Sequence, residues 1–208
     1  MTGELLNEQS TKLMFSSAIL DNGELIPTAP GWMNWPLVGR VVSQHSGAFR
    51  TGFSSQAFII PEEKFIIILL TNVSGGTNFP LVQKIASIYY EELGQLSKRE
   101  TIADNRLDLT NKHLTLFKNL DSNELSKNSI SDKFPKSYLS RGLKAALSST
   151  ESIVFLGEDD VSSRDINLFG VSIHTFRYYK LIGSRTLYTT VSLDKNNKVV
   201  FIDYPETE

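Results

Sequence analysis

QHSGAFRTGFSSQAFIIPEEKFIIILLTN, residues 44–72, reads as strand, tight polar turn, strand, turn and strand. Arg40–Gln44 leads in as the first strand, Ser55–Ile60 is the second and Phe65–Asn72 the third, with Pro61-Glu62-Glu63-Lys64 as a hairpin turn. The run FIIILL shows no polar alternation, which predicts a strand buried on both faces at the centre of a sheet. The first turn puts His45-Ser46-Gly47 at the sheet edge. Gly75-Gly76-Thr77-Asn78 then leads into a helix, with Thr77 or Asn78 as N-cap and Pro80 in its first turn. Leu81, Val82, Ile85, Ile88, Tyr89, Leu93 and Leu96 form one apolar stripe at helical spacing.

Working back from this stretch, Leu5, Leu6, Leu13, Met14 and Phe15 predict a short helix or two within residues 4–17. Asp21-Asn22-Gly23 and the span Pro27 to Pro30 are turn chemistry. Trp32 and Trp35 read as core aromatics, with a cleft-lining role as the other option.

Downstream, residues 97–106 (SKRETIADNR) are charged and aperiodic, and read as a linker. Leu109, Leu116, Phe117 and Leu120 predict a helix. A Ser/Asn/Lys-rich segment follows over residues 121–134, and Pro135 opens a further helix with Leu139, Leu143, Ala146 and Leu147 on one face. Four strands close the chain: Glu151–Leu156, Gly170–Ile182, Arg185–Leu193 and Val199–Tyr204. In the third, Leu187, Thr189, Val191 and Leu193 share a face, and Tyr188, Thr190 and Ser192 share the other. Asp194–Lys198 is a hairpin connection. Helices followed by an antiparallel meander make an α+β domain.

The His-Ser-Gly triplet resembles the third active-site motif of the serine beta-lactamase and penicillin-binding-protein superfamily. It is closest to the class C-like esterases, peptidases and beta-lactamase-related proteins, where His-Ser-Gly stands for Lys-Thr-Gly. Gly31-Trp32 before it and Gly52-Phe53-Ser54-Ser55, Pro61-Glu62 and Leu70-Thr71-Asn72 after it carry the same resemblance, over residues 1–97. The resemblance implies a partial beta-lactamase-like α/β sheet of three antiparallel strands plus a C-terminal helix, over residues 1–96. Residues 97–106 would then be linker, and 107–208 an accessory domain similar to a cystatin-like or nuclear-transport-factor-like cone. The FLGEDD and LDKNNKVVFIDY segments carry that second likeness.

Acyl transfer by a serine enzyme needs an activated hydroxyl, a proton shuttle and two donors for the developing oxyanion. Carried over by position, the Ala48 N–H is one oxyanion donor. Gly47 lets substrate lie against the strand without a Cβ in the way. Ser46 offers a hydroxyl to a substrate carboxylate or carbonyl, and His45 donates in place of the family's lysine. A histidine makes this edge less cationic than a lysine does at pH 7, which favours ester or neutral amide substrates over a strict demand for a carboxylate. The family's nucleophile motif, Ser-x-x-Lys, lies well upstream of the triplet, and here 44 residues precede His45. The literal match Ser192-Leu-Asp-Lys195 lies downstream and in a strand-to-turn context, so it fails on order and on geometry. The second family motif has no counterpart between Met1 and Gln44. The expectation is a hydrolase portion without its nucleophile, in which the loss of one oxyanion donor alone costs about 10²–10³ in rate.

A length of 208 residues allows one large or two small domains, at roughly 100–200 residues each. The net charge of −2 and the absence of a basic cluster denser than Lys98-Arg99 argue against nucleic-acid binding. Zero cysteines exclude disulfides and thiol chemistry. The longest apolar run, Phe65–Leu70, is far short of the ~20 residues that span a bilayer. The first residues have no basic region leading into an apolar core, so no signal peptide is read there; the resemblance implies an export signal upstream. His113 reads as a surface or packing residue at a helix start, and His174 as a packed or edge histidine. Glu158-Asp159-Asp160 with Asp165 fits no calcium loop and reads as a solvated acidic turn. No metal or cofactor is expected.

Two functional readings stay open. In the first, the chain supplies the His-Ser-Gly wall of a serine hydrolase. In the second, it is a non-enzymatic module whose C-terminal strands bind a ligand or protein through Phe176, Tyr178, Tyr179 and Tyr188. The expected partner is the N-terminal portion of the hydrolase domain, or a second copy joined through an open sheet edge.

Overall fold

The structure, a computed structural model, describes residues 5–23, 25–49, 52–73, 78–94, 96–120, 129–136, 139–164, 166–203 and 206–207. Arg50 and Thr51 in the predicted polar turn, the cap region Gly75–Thr77, residues 121–128, Tyr138, Asp165 and Tyr204 lie outside the described residues. The chain is α+β and divides into two compact units, Met1–Gly94 and Gln95–Glu208.

In the first unit, α1 (Glu8–Met14) starts where the Asn7 side chain accepts from the Ser10 N–H at 2.8 Å, an N-cap that ends the preceding coil. A small hairpin follows, β1 (Ala18–Ile19) with β2 (Leu25–Ile26). The main sheet is a fully antiparallel meander of β3 (Thr28–Ala29), β4 (Trp32–Leu37), β5 (Arg40–Phe49), β6 (Phe53–Ile60) and β7 (Phe65–Thr71). Five strands stand where the sequence predicted three, because the Gly31-Trp32 region itself enters the ladder. Between β6 and β7 the Lys64 N–H returns to Pro61 O at 3.2 Å, with Lys64 in the left-handed region.

Strand β7 is not the central strand expected from FIIILL. It is the sheet edge, and its residues alternate between half-buried and exposed. Phe65, Ile67 and Leu69 share a face with Ile60, Phe58 and Gln56 of β6. That face takes α2 (Asn78–Tyr89), with Phe79 6.3 Å from Phe58 and Tyr89 5.5 Å from Phe65. Ile66, Ile68 and Leu70 point to the other side and are 53%, 69% and 75% exposed. The helix also differs from its predicted stripe: Val82, Gln83 and Ala86 are buried, whereas Leu81, Ile88 and Tyr89 are exposed. It stops at Tyr89, so Leu93 is buried from a separate short turn.

In the second unit, α3 (Leu107–Lys118) and α4 (Arg141–Ser148) pack against one face of a sheet. Ser140 caps α4 by accepting from the Leu143 N–H, so the helix begins at Arg141 rather than at Pro135. The sheet runs β13 (Val199–Ile202), β12 (Thr186–Leu193), β11 (Thr175–Gly183) and β8 (Thr150–Asp160), all antiparallel. Strand β14 (Glu206–Thr207) also pairs with β12. A short hairpin, β9 (Asn167–Leu168) and β10 (Val171–Ser172), takes up the start of the long strand predicted from Gly170. Leu109, Leu116, Phe117, Leu143 and Leu147 meet Tyr179, Leu181, Leu187, Val191 and Leu193 in one core.

Residues 97–106 are not a free linker. Arg99 stacks on the Tyr178 ring at 4.1 Å, and Asp104 binds Arg177 at 2.8 Å. Neighbouring residues on a strand face opposite sides of the sheet, so this strap starts on one face and ends on the other. It crosses the edge strand β8 at Gly157, where the β8–β11 register shifts and φ is +136°. A Cβ there would sit 3.5 Å from Arg99 Nη1 and 3.9 Å from Ile102 Cδ1. The glycine supplies both the bulge conformation and the crossing point.

Candidate functional site

His45, Ser46, Gly47 and Ala48 lie in the second half of β5, and all four are exposed. The cause is the stagger of the strands. The β4 ladder reaches only as far as Met33 opposite Gln44, whereas β5 continues to Phe49. Among the described residues β5 is paired on one side only from His45 onward, with His45 opposite Ala57, Ser46 opposite Gln56 and Gly47 opposite Ser55 of β6. The other side presents main-chain donors and acceptors to solvent, an arrangement that an extended chain can add to as a further strand.

Alternation separates the triplet. His45 and Gly47 share a face with Ser55 and Ala57, and Ser46 and Ala48 share the other with Ser54 and Gln56. A Cβ on Gly47 would meet Ser55 Oγ at 2.9 Å, so the missing side chain leaves the Ser55 hydroxyl its room. Ser54 is not a free nucleophile: its hydroxyl lies 2.7 Å from Thr71 Oγ1 and 2.7 Å from Val73 O. Nearby, Ser43 donates to Asn34 Oδ1 at 2.7 Å, and Asn34 Nδ2 donates to Phe15 O at 2.8 Å. These bonds tie the start of the exposed edge to the chain ahead of the sheet. Trp32 and Trp35 are both half-buried, Trp32 with its ring 6.1 Å from Phe15.

The base of β5 is fixed by Arg40. Its Nε donates to Glu63 at 2.6 Å, its Nη2 donates to Glu92 at 2.6 Å, and its guanidinium lies 4.8 Å from the centre of the Tyr90 ring. One cation thus joins β5, the β6–β7 turn and the chain beyond α2.

The second unit holds a polar cluster that the sequence reading missed. Arg177 Nη2 donates to Asp104 Oδ1 and to Thr110 Oγ1, and Nη1 lies 2.9 Å from Glu158 Oε2 as an ion pair. Thr110 donates to the second Asp104 oxygen. Phe155 underlies the guanidinium at 4.4 Å. His113 is a packing residue, the second of its two expected roles, but in mid-α3 rather than at a helix start: it is 2% exposed, with Nδ1 2.8 Å from the Tyr179 hydroxyl. Burial, aided by the charges of Arg177 and Arg106, pushes its pKa down to about 3. Burial likewise pushes Tyr179 up to about 12, with Arg177 pulling the other way. The cluster joins the strap, α3 and β11 through bonds centred on the buried Arg177.

Glu158-Asp159-Asp160 is not a solvated turn either. All three are in β8 opposite Arg177, Phe176 and Thr175, and Asp159 accepts from the Tyr178 hydroxyl at 2.6 Å. His174 is half-buried beside β11. Ser192 is fully buried in β12, between Phe176 and Phe201 in the ladder, so Ser192-Leu-Asp-Lys195 offers no accessible hydroxyl. Among the described residues no group of three His, Cys, Asp or Glu side chains is placed to hold a metal ion, and no helix is long and apolar enough to cross a membrane.

Comparison with known proteins gives no match to a family model, to a curated protein or to a solved structure.

Proposed function

We propose that residues 1–94 form one wall of the active site of a beta-lactamase-related serine hydrolase acting on an ester, amide or peptide. The single observation behind this reading is the overhang of β5. His45–Phe49 runs past the end of β4 with its main-chain edge open and no side chain on Gly47. An acyl substrate laid along that edge would receive the Ala48 N–H as an oxyanion donor, with His45 and Ser46 directed to opposite sides of it. The nucleophile comes from elsewhere: the N-terminal portion of the hydrolase domain, or a second chain.

A fluorophosphonate probe tests this reading. The isolated chain labels at no serine. In the source cells, an antibody raised against residues 110–208 should detect a species several hundred residues long that takes the probe. In that species, His45→Ala lowers kcat by at least tenfold. Labelling of any serine in the isolated chain, or a cellular species of this size that takes no probe, sinks the proposal.

The binding-module alternative draws less support. Phe176, Tyr178 and Tyr179 have no exposure and Tyr188 has 3%. Tyr178 lies under Arg99, and Tyr179 packs on His113 and Phe155, so these rings are occupied by the unit's own packing.

A further inference from the structure

We propose that β7 is a docking edge for a second copy of this chain, and that two β7 strands pair antiparallel across a two-fold axis at Ile68. The two five-stranded sheets would then join into one of ten strands. This rests on the geometry of β7 and not on the hydrolase reading.

Among the described residues, one edge of β7 has no strand beside it. Phe65–Thr71 contains no charge, no proline and no register shift against β6, so it lacks each device that usually blunts an edge. The strand is also self-complementary. Antiparallel pairing at Ile68 sets Ile68 against Ile68 and Ile66 against Leu70 on the exposed face, and Phe65 against Thr71 on the other. Residues of one parity meet residues of the same parity, so both sheets keep their faces aligned.

The helix covers the opposite face of the sheet from Ile66, Ile68 and Leu70. Tyr90, just past the end of α2, meets Arg40 of β5. Leu81, Ile85 and Ile88, at i, i+4 and i+7, form a further apolar stripe on the helix. Ile88 is 79% exposed and Leu81 44%. On the other face of the sheet Ile66, Ile68 and Leu70, 53%, 69% and 75% exposed, form a continuous apolar stripe along β7.

The sheet's far edge decides between a dimer and a fibre. Strand β3 has only two residues, too few to receive a seven-residue strand. Head-to-tail addition of β7 to β3 is therefore blocked, and the other open edge of this sheet among the described residues, His45–Phe49 of β5, is shorter than β7, so β7 finds its full-length match in β7 itself. The contact is isologous and closed.

The absence of cysteine from the chain allows a direct test. Ile68→Cys should form a disulfide-linked dimer under mild oxidation, because paired positions on adjacent strands bring Cβ atoms to about 4.5–5.5 Å. Leu13→Cys, 62% exposed on α1, should not. Light scattering should give the native chain twice its monomer mass. Ile68→Lys, with unchanged circular dichroism, should raise the dissociation constant at least tenfold. A native chain that stays monomeric at high concentration, open-ended aggregates, or a dimer that neither crosslinks at position 68 nor responds to Ile68→Lys would each overturn the proposal. Crosslinking still decides if Ile68→Lys fails to fold. None of these outcomes bears on fluorophosphonate labelling, so the two proposals fail separately.

Discussion

Arg177 donates to Asp104 across 2.8 Å, so a fully buried arginine is neutralised by a carboxylate 73 residues earlier in the chain. The same carboxylate accepts from Thr110 and from the Arg106 N–H, which fixes the start of α3 against β11. The strap, the first helix and the sheet of the second unit therefore share one polar joint.

Asp104→Asn keeps the shape of this joint and removes its charge. Arg177 then keeps only its ion pair with the partly exposed Glu158, so the loss should fall below the ~3–5 kcal/mol of a buried charge left without any partner. The loss shows as a lower urea midpoint with unchanged slope. Arg177→Met combined with Asp104→Asn should cost less than the sum of the two single changes. Additive losses would mean that the two residues act independently.

The pH dependence of stability should have two parts. His113 takes a proton in the unfolded chain below its ordinary 6.5, but in the folded chain only near pH 3. Stability therefore falls as pH drops through that window, by roughly 1.5–2 kcal/mol between pH 6.5 and 5. Asp104 acts lower. Burial alone would raise its pKa, but the bonds from Thr110, the Arg106 N–H and Arg177 outweigh burial and hold it below its ordinary 3.8. Its contribution is present above pH 3.8 and is lost as pH falls further. Urea midpoints at pH 5 and 6.5 should differ in the native chain and converge in His113→Gln.

Arg40→Met should cost the first unit about 2–3 kcal/mol, because Glu63 is then left half-buried without its cation. Glu92→Gln should cost under about 1 kcal/mol, since Glu92 is 43% exposed. Arg40→Lys should not restore the loss: one ammonium does not span two carboxylates held by Nε and Nη2. Hydrogen exchange at the β5–β6 pairs gives the local readout, and protection equal to that of the native chain would refute the tie.

Tyr179→Phe should cost about 1–2 kcal/mol, because the buried His113 Nδ1 loses its partner. Thermal unfolding measures the loss, and a neutral result would mean that the ring turns to another partner.

The order of strands over residues 40–72 was legible because extended runs are local signals, but their bounds were not: β5 runs on to Phe49 and β6 starts at Phe53, where the sequence predicted an end at Gln44 and a start at Ser55. The position of β7 was not legible either. An apolar run says that both faces are apolar, and it does not say that both are covered; Ile66, Ile68 and Leu70 are open. The strap was misread for a different reason. Charged, aperiodic sequence signals solvent only if no opposite charge lies inside, and Arg177 was too distant in sequence to enter the reading. His113 could have been found: it stands at i+4 from Leu109 and i−3 from Leu116, on the buried stripe of α3. For the His45–Ala48 edge, residue types were readable, but its exposure follows from the stagger of β4 and β5, which sequence does not encode locally.

The crossing of β8 by the strap also sets a schedule for synthesis. Asp104 leaves the ribosome 73 residues before Arg177. At 5–20 residues per second the nascent carboxylate waits roughly 4–15 s for the cation that will neutralise it. The strap has no finished edge to cross until β8 and β11 have paired. Its docking is thus a closing step, and weakening it should chiefly speed unfolding rather than slow folding.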